Sequence, residues 1–191
     1  IPEIQNYNLK KNYIIFNKIE GKKIKNIKEN DLDQCLKFLK SLNKKKIKKK
    51  FGRFQYASDY CISYKDHVEC VYKRIINLTK IRTKKKDVLQ IKEFINKNLL
   101  KNFFFLKKNL MNSISQRDYI KKLDSNELIL SPSDFGFHNI LKKRNTLFFL
   151  DFEYSWFDDP LKLLSDFLCN PDYKISTRNK EIFKKKFLKL F

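Results

Sequence analysis

Apolar residues recur along this chain with two periods, and each period predicts a kind of element. Leu32, Cys35, Leu36, Leu39 and Leu42 are three or four positions apart, which puts them on one face of a helix over residues 30–43. Asp31 is placed to cap that helix, with Gln34 three residues on completing a capping-box pattern. Val68, Val71, Tyr72, Ile75 and Ile76 form the stripe of a second helix over 60–78, which also carries Asp66, His67 and Glu69. A third, longer pattern runs from Asp87 to about Leu110, and its run Phe103-Phe104-Phe105-Leu106 is expected at the centre of a helical core. A short helix is expected over 117–123. Pro160 suits the first position of a helix over 161–168, Pro171 ends that element, and a last amphipathic helix runs over 179–191.

Strand signals lie elsewhere. Tyr13-Ile14-Ile15-Phe16 is β-branched and aromatic. Leu128-Ile129-Leu130 precedes a loop, Ile140-Leu141 follows it, and the aromatic run Thr146–Leu150 comes after a polar turn at 142–145 in which Asn145 suits unusual backbone angles. Charged or irregular stretches separate these elements: the lysine run 44–50, broken only by Ile47, the aromatic segment 51–56 with Gly52, and Lys84-Lys85-Lys86. The lysine run reads as a solvated linker, with a polyanion-binding patch as its sharper alternative.

The loop between the strands carries candidate chemistry. Asp134 is followed five residues later by Asn139, and Asp151 comes directly after the apolar strand. If the two strands pair as a hairpin, Asn139 at the start of one lies beside Asp151 at the end of the other. An amide oxygen and a carboxylate so placed suit Mg2+, which takes hard oxygen ligands and keeps waters for phosphate oxygens. Asp134, one loop-width away, is free to accept a proton from a hydroxyl. Base, amide ligand and carboxylate ligand in that order are the parts of a phosphoryl-transfer site.

The string Asp134…Asn139, Leu150-Asp151-Phe152-Glu153-Tyr154, Asp159-Pro160 and Asp166-Phe167 resembles the aminoglycoside phosphotransferase and choline/ethanolamine kinase family. That family shares the protein-kinase-like fold. The resemblance implies Asp134 as catalytic base, Asn139 and Asp151 as Mg2+ ligands, and Asp166 as support for the catalytic loop. Glu153 is a candidate for a second-layer metal or substrate contact. Tyr13–Gly21 resembles the segment between the two lobes, so backbone groups near Asn17 and Ile19 are expected to meet the adenine edge of ATP. Pro132 stands where the family has a scaffold His.

The expected fold is therefore α+β and protein-kinase-like: a mostly helical C-terminal lobe with a catalytic β-hairpin, plus the last strands of the N-terminal lobe. Residues 1–27 read as the end of the N-terminal lobe and hinge, and 28–191 as a truncated catalytic lobe. The chain has three glycines, Gly21, Gly52 and Gly136, too few for a Gly-rich phosphate loop. The expectation is a fragment of a longer phosphotransferase that is inactive by itself. The parent would transfer the γ-phosphate of ATP to a hydroxyl on a small polar metabolite, an amino alcohol such as choline or ethanolamine, or a sugar. For a quaternary ammonium acceptor, Tyr154, Trp156 and Phe157 with Asp158 are a candidate cage.

Composition narrows the alternatives. The formal net charge is +22, carried mostly by lysines spread along the whole chain; arginine occurs at six positions, Arg53, Arg74, Arg82, Arg117, Arg144 and Arg178. Base-edge and phosphate-fork recognition favours arginine, so a nucleic-acid-binding helical protein is a rival rather than the main reading. A cationic aminoglycoside is disfavoured by the same charge. A non-catalytic scaffold of the same fold is the other rival. The chain holds no apolar run long enough to span a membrane. Four cysteines without a C-x-x-C pair read as free thiols, and the expected compartment is cytoplasmic.

Overall fold

The computed structural model describes residues 2–44, 56–57, 59–80 and 87–191. The lysine run beyond Lys44, the aromatic segment up to residue 55 and the Lys84–Lys86 break lie outside the described residues. The chain divides into two compact units: one formed by Ile1–Ser58 with Asn126–Phe191, the other by Asp59–Ser125. Helices joined by small antiparallel sheets make up the chain, the α+β class expected from the pattern.

The first unit begins with an antiparallel pair, β1 (Ile4–Asn8) and β2 (Tyr13–Phe16). Next comes a two-residue strand, β3 (Lys22–Lys23), which joins a three-stranded sheet in the order β3, β5 (Ile140–Lys143), β6 (Thr146–Phe149). Gly21 lies at the point of closest approach: a Cβ there would sit 2.8 Å from the Cβ of Leu141. A separate pair joins β4 (Ile129–Ser131) to β7 (Trp156–Asp158). Lys143 faces Thr146 across the β5–β6 turn, where Arg144, not Asn145, takes the left-handed conformation at φ 54°.

Helix α1 (Glu29–Leu42) buries Leu32, Cys35, Leu36 and Leu39, the stripe its spacing predicts. Its start differs from expectation. Lys28 is the N-cap residue, and Asp31 sits at the third helical position, where its Oδ2 accepts from the Lys28 N–H at 3.0 Å. The reason is tertiary. The fully buried Asp31 carboxylate also holds the Lys142 ammonium on β5 at 2.6 Å. Gln34 likewise faces the hairpin instead of the cap. Its amide donates to the Asn145 carbonyl at 2.9 Å, and its oxygen accepts from the Leu147 N–H at 3.0 Å. At the far end Asn43 bonds both backbone groups of Leu130 on β4, accepting from its N–H at 2.7 Å and donating to its carbonyl at 3.1 Å. One helix thus grips the strands on both sides of the loop that holds Asp134.

Two further helices, labelled here α6 (Pro160–Cys169) and α7 (Thr177–Phe187), close the core of this unit with Leu163, Phe167, Phe183 and Phe187. Asp159 caps α6, accepting from the Leu161 N–H at 2.7 Å, and Pro160 occupies its first turn as expected.

In the second unit, α2 (Tyr64–Thr79) starts at Ser63, whose hydroxyl accepts from the Asp66 N–H at 3.1 Å. Helices α3 (Asp87–Phe94) and α4 (Leu100–Ser113) run on continuously through a π turn at Ile95–Leu99; a short α5 (Gln116–Ile120) is capped by Ser115. The expected burial of the Phe103–Leu106 run is not met. Phe103 stacks on Tyr72 at 5.5 Å, but Phe104, Phe105 and Leu106 are more than half exposed. Consecutive helical residues point about 100° apart, so a neighbour on one side cannot cover all four. No described helix is long and apolar enough to cross a membrane.

Candidate functional site

Buried aromatic residues, Phe135 and Phe137, fix the Asp134 loop to the core, where Phe135 stacks on Phe167 at 5.2 Å. Just before them Asp134 faces outward with 59% of its side chain exposed, and just after them His138 is mostly covered. The chain enters through Ser133, which is held in the left-handed region at φ 66° while its N–H donates to the Ser131 hydroxyl at 3.1 Å. The Asp134 N–H turns back to the Pro132 carbonyl at 3.0 Å. A 3-10 turn, Phe137–Asn139, then delivers the chain into β5.

Asp134 and Asn139 meet directly. The Asn139 amide nitrogen donates to the Asp134 carbonyl at 3.0 Å and to its carboxylate Oδ2 at 3.1 Å. Those bonds use the nitrogen and leave Oδ1, the metal-binding atom of an amide, unspent. The Leu150 N–H donates to the Asn139 carbonyl at 3.0 Å, and this sets exposed Asp151 one residue past the rung. Asp151 has φ 61°, so a non-glycine residue in the left-handed region stands on each side of the loop. Such backbone costs about 1–3 kcal/mol per residue and persists where surrounding structure imposes it. One amide oxygen and one exposed carboxylate are a donor set suited to Mg2+, which leaves several positions to water and phosphate.

The other expected residues fall further out. Asp166 holds Lys162, one turn back on its own helix, at 2.9 Å. Lys162 is itself nearly buried and lies 3.4 Å from buried Asp158. Burial pulls the Lys162 ammonium down, but the hydrogen bond to Asp166 and the charge of Asp158 outweigh it and its pKa ends above the ordinary value. Glu153 is exposed, and the Tyr154 phenol hydrogen-bonded to it is raised by that carboxylate. The candidate aromatic cage does not form from these residues: Phe157 and Asp158 are buried in β7, while Tyr154 points to solvent. In the segment after β2, the Asn17 N–H donates to the Glu3 carbonyl at 2.8 Å, which spends one of the backbone groups expected to face a nucleotide; Ile19 is half-buried.

One participant was not singled out from sequence. His138 Nε2 lies 3.0 Å from Asp134 Oδ1. The only trace of it in the sequence is a spacing of four residues within one loop.

No protein-family model and no curated protein matches this chain. Among solved structures it is similar to the choline kinase of Cryptosporidium parvum, with a TM-score of 0.54 and 16% identity, over 99% of this chain and 56% of that one. The fold is that of a protein-kinase-like choline kinase. The chain spans little more than half the length of that enzyme.

Proposed function

We propose that the polypeptide carrying this chain is an ATP- and Mg2+-dependent phosphotransferase acting on a hydroxyl of a small polar metabolite. The observation that carries the reading is the contact of Asp134 with Asn139, one backbone rung from Asp151, on a choline-kinase-like fold. In this reading residues 1–27 belong to the hinge side, 28–191 to the catalytic lobe, and the Asn17 carbonyl and Ile19 amide meet the adenine edge.

Asp134 orients the acceptor hydroxyl and takes its proton as the oxygen bonds to the γ-phosphorus and the bond to the β–γ bridging oxygen breaks. Its exposure leaves the carboxylate open to a substrate, and its bond to Asn139 fixes the direction it faces. Asn139 Oδ1 and Asp151 would hold the metal, which when bound offsets charge on the phosphate oxygens. Glu153 is placed for an outer contact with metal or substrate. Asp166 would act on the loop only indirectly, through Lys162 and the start of α6. An amino alcohol or a sugar is the acceptor class, and the name of the similar enzyme, a choline kinase, puts choline first.

The test is ATP turnover by the full-length polypeptide with Mg2+ against choline, ethanolamine and a set of hexoses, beside Asp134→Ala. Turnover that requires one acceptor and falls at least about 10²-fold in the variant supports the reading. Turnover that is unchanged in Asp134→Ala, or absent with every acceptor, overturns it.

A further inference from the structure

His138 sits in a built socket. Its Nε2 meets Asp134 Oδ1 at 3.0 Å, and Asn139 meets the other carboxylate oxygen at 3.1 Å. On its far side Nδ1 lies 3.5 Å from the Asn170 amide nitrogen. That amide cannot turn freely, because its oxygen accepts from the Asp172 N–H at 2.8 Å. The Tyr173 ring lies nearly parallel to the imidazole, 20° off with centroids 6.4 Å apart, and is itself tied by its hydroxyl to the Phe167 carbonyl at 2.7 Å. Beneath the ring, Gly136 leaves the room: a Cβ there would come within 2.7 Å of two imidazole atoms and 3.0 Å of the Tyr173 hydroxyl. The imidazole is four-fifths covered while the carboxylate it touches is mostly open.

We propose that His138 is a positioning residue for Asp134, set in its working tautomer by Asn170; this rests on the phosphotransferase reading above. An amide N–H aimed at Nδ1 requires a lone pair there, so the ring proton is on Nε2 and is donated to Oδ1. Each oxygen of Asp134 then has one fixed donor, His138 on one side and Asn139 on the other. An exposed carboxylate that would otherwise rotate in water is held in one orientation, with lone pairs left for an acceptor hydroxyl. The loop thereby obtains from a side chain four residues after the base an orienting contact, in a chain where Pro132 precedes the base at the family's scaffold-His position.

Two measurements on the full-length polypeptide test this. The first needs no substrate: 15N spectra of the imidazoles, with His138 assigned by loss of its signals in His138→Gln. The expected result is the Nε2–H tautomer in the parent and a shift towards Nδ1–H in Asn170→Asp, where a carboxylate faces Nδ1. The second is kinetics with the acceptor retained from the choline, ethanolamine and hexose panel. Asn170→Asp and His138→Ala are each expected to lower kcat on the order of 10²-fold, the cost of about 1 Å of misplacement at the reacting group. KM for ATP should stay within about twofold, and added imidazole should restore part of the loss in His138→Ala, which a merely structural role would not allow. An Nδ1–H tautomer in the parent overturns the proposal, as does unchanged kcat in the two variants while the parent turns over. A parent with the expected tautomer but no transfer to any acceptor overturns the phosphotransferase reading, and the positioning role falls with it.

Discussion

Replacing Lys142 by Met should unfold the first unit more readily than any exposed lysine substitution. Asp31 is fully buried, and its two oxygens have one strong partner each: the Lys142 ammonium at 2.6 Å and the Lys28 N–H at 3.0 Å. The Lys142 side chain is 23% exposed, so the pair is screened little on one side and not at all on the other. Removing the ammonium leaves a carboxylate without its counter-charge in the core, a change that costs about 3–5 kcal/mol. The methionine covers the same apolar stem, so lost packing adds little. Urea unfolding followed by Trp156 fluorescence reads the change as a lower midpoint with an unchanged slope. Trp156 is the chain's single tryptophan and lies in β7 of the same unit. Combining Lys142→Met with Asp31→Asn should recover most of the loss, because the amide still accepts from Lys28 and carries no charge. The coupling energy of that cycle is expected to exceed about 2 kcal/mol. A loss under about 1 kcal/mol for Lys142→Met, the scale of an exposed ion pair, would refute the reasoning.

Other outcomes follow from the same geometry. Asn43→Ala strips both backbone groups of Leu130 of their side-chain partner and should cost about 1–3 kcal/mol in the same unfolding assay; Asn43→Asp, which keeps the acceptor only, should recover part of that. Gln34→Ala leaves the Leu147 N–H and Asn145 carbonyl unpaired at the hairpin end and should cost roughly 1–2 kcal/mol, without changing the fold seen by circular dichroism. Alkali should destabilise the chain. Burial foremost pushes the Tyr173 phenol up, and Lys162 also sits above its ordinary value, so for both groups the unfolded chain releases the proton first. Their contribution is full below about pH 10 and is lost as pH rises through the folded values. Melting temperatures across about pH 8 to 11 should fall less steeply in Tyr173→Phe than in the parent.

Much of this protein was legible in local pattern. The stripe Leu32, Cys35, Leu36 and Leu39, the polar turn between Ile140-Leu141 and the aromatic strand, and Pro160 at a helix start are all set within a few residues. Backbone propensity and period act over that range, so the α+β elements and the order Asp134, Asn139, Asp151 were readable before any fold was known. What a side chain does after its element forms depends on which neighbour it meets. Asp31 is polar enough to cap a helix, yet its carboxylate is buried against a lysine 111 residues away. Phe104, Phe105 and Leu106 are apolar enough for a core, yet each is more than half exposed, and the run meets α2 through Tyr72 against Phe103 and the edge of Phe104. His138 becomes a partner of Asp134 because Asn170 and Tyr173, from beyond α6, close around its ring. Hydrophobic period fixes the face an element offers, while long-range packing chooses what lies against that face. Contacts between distant residues carry no period in the chain, and so only the tertiary structure decided them.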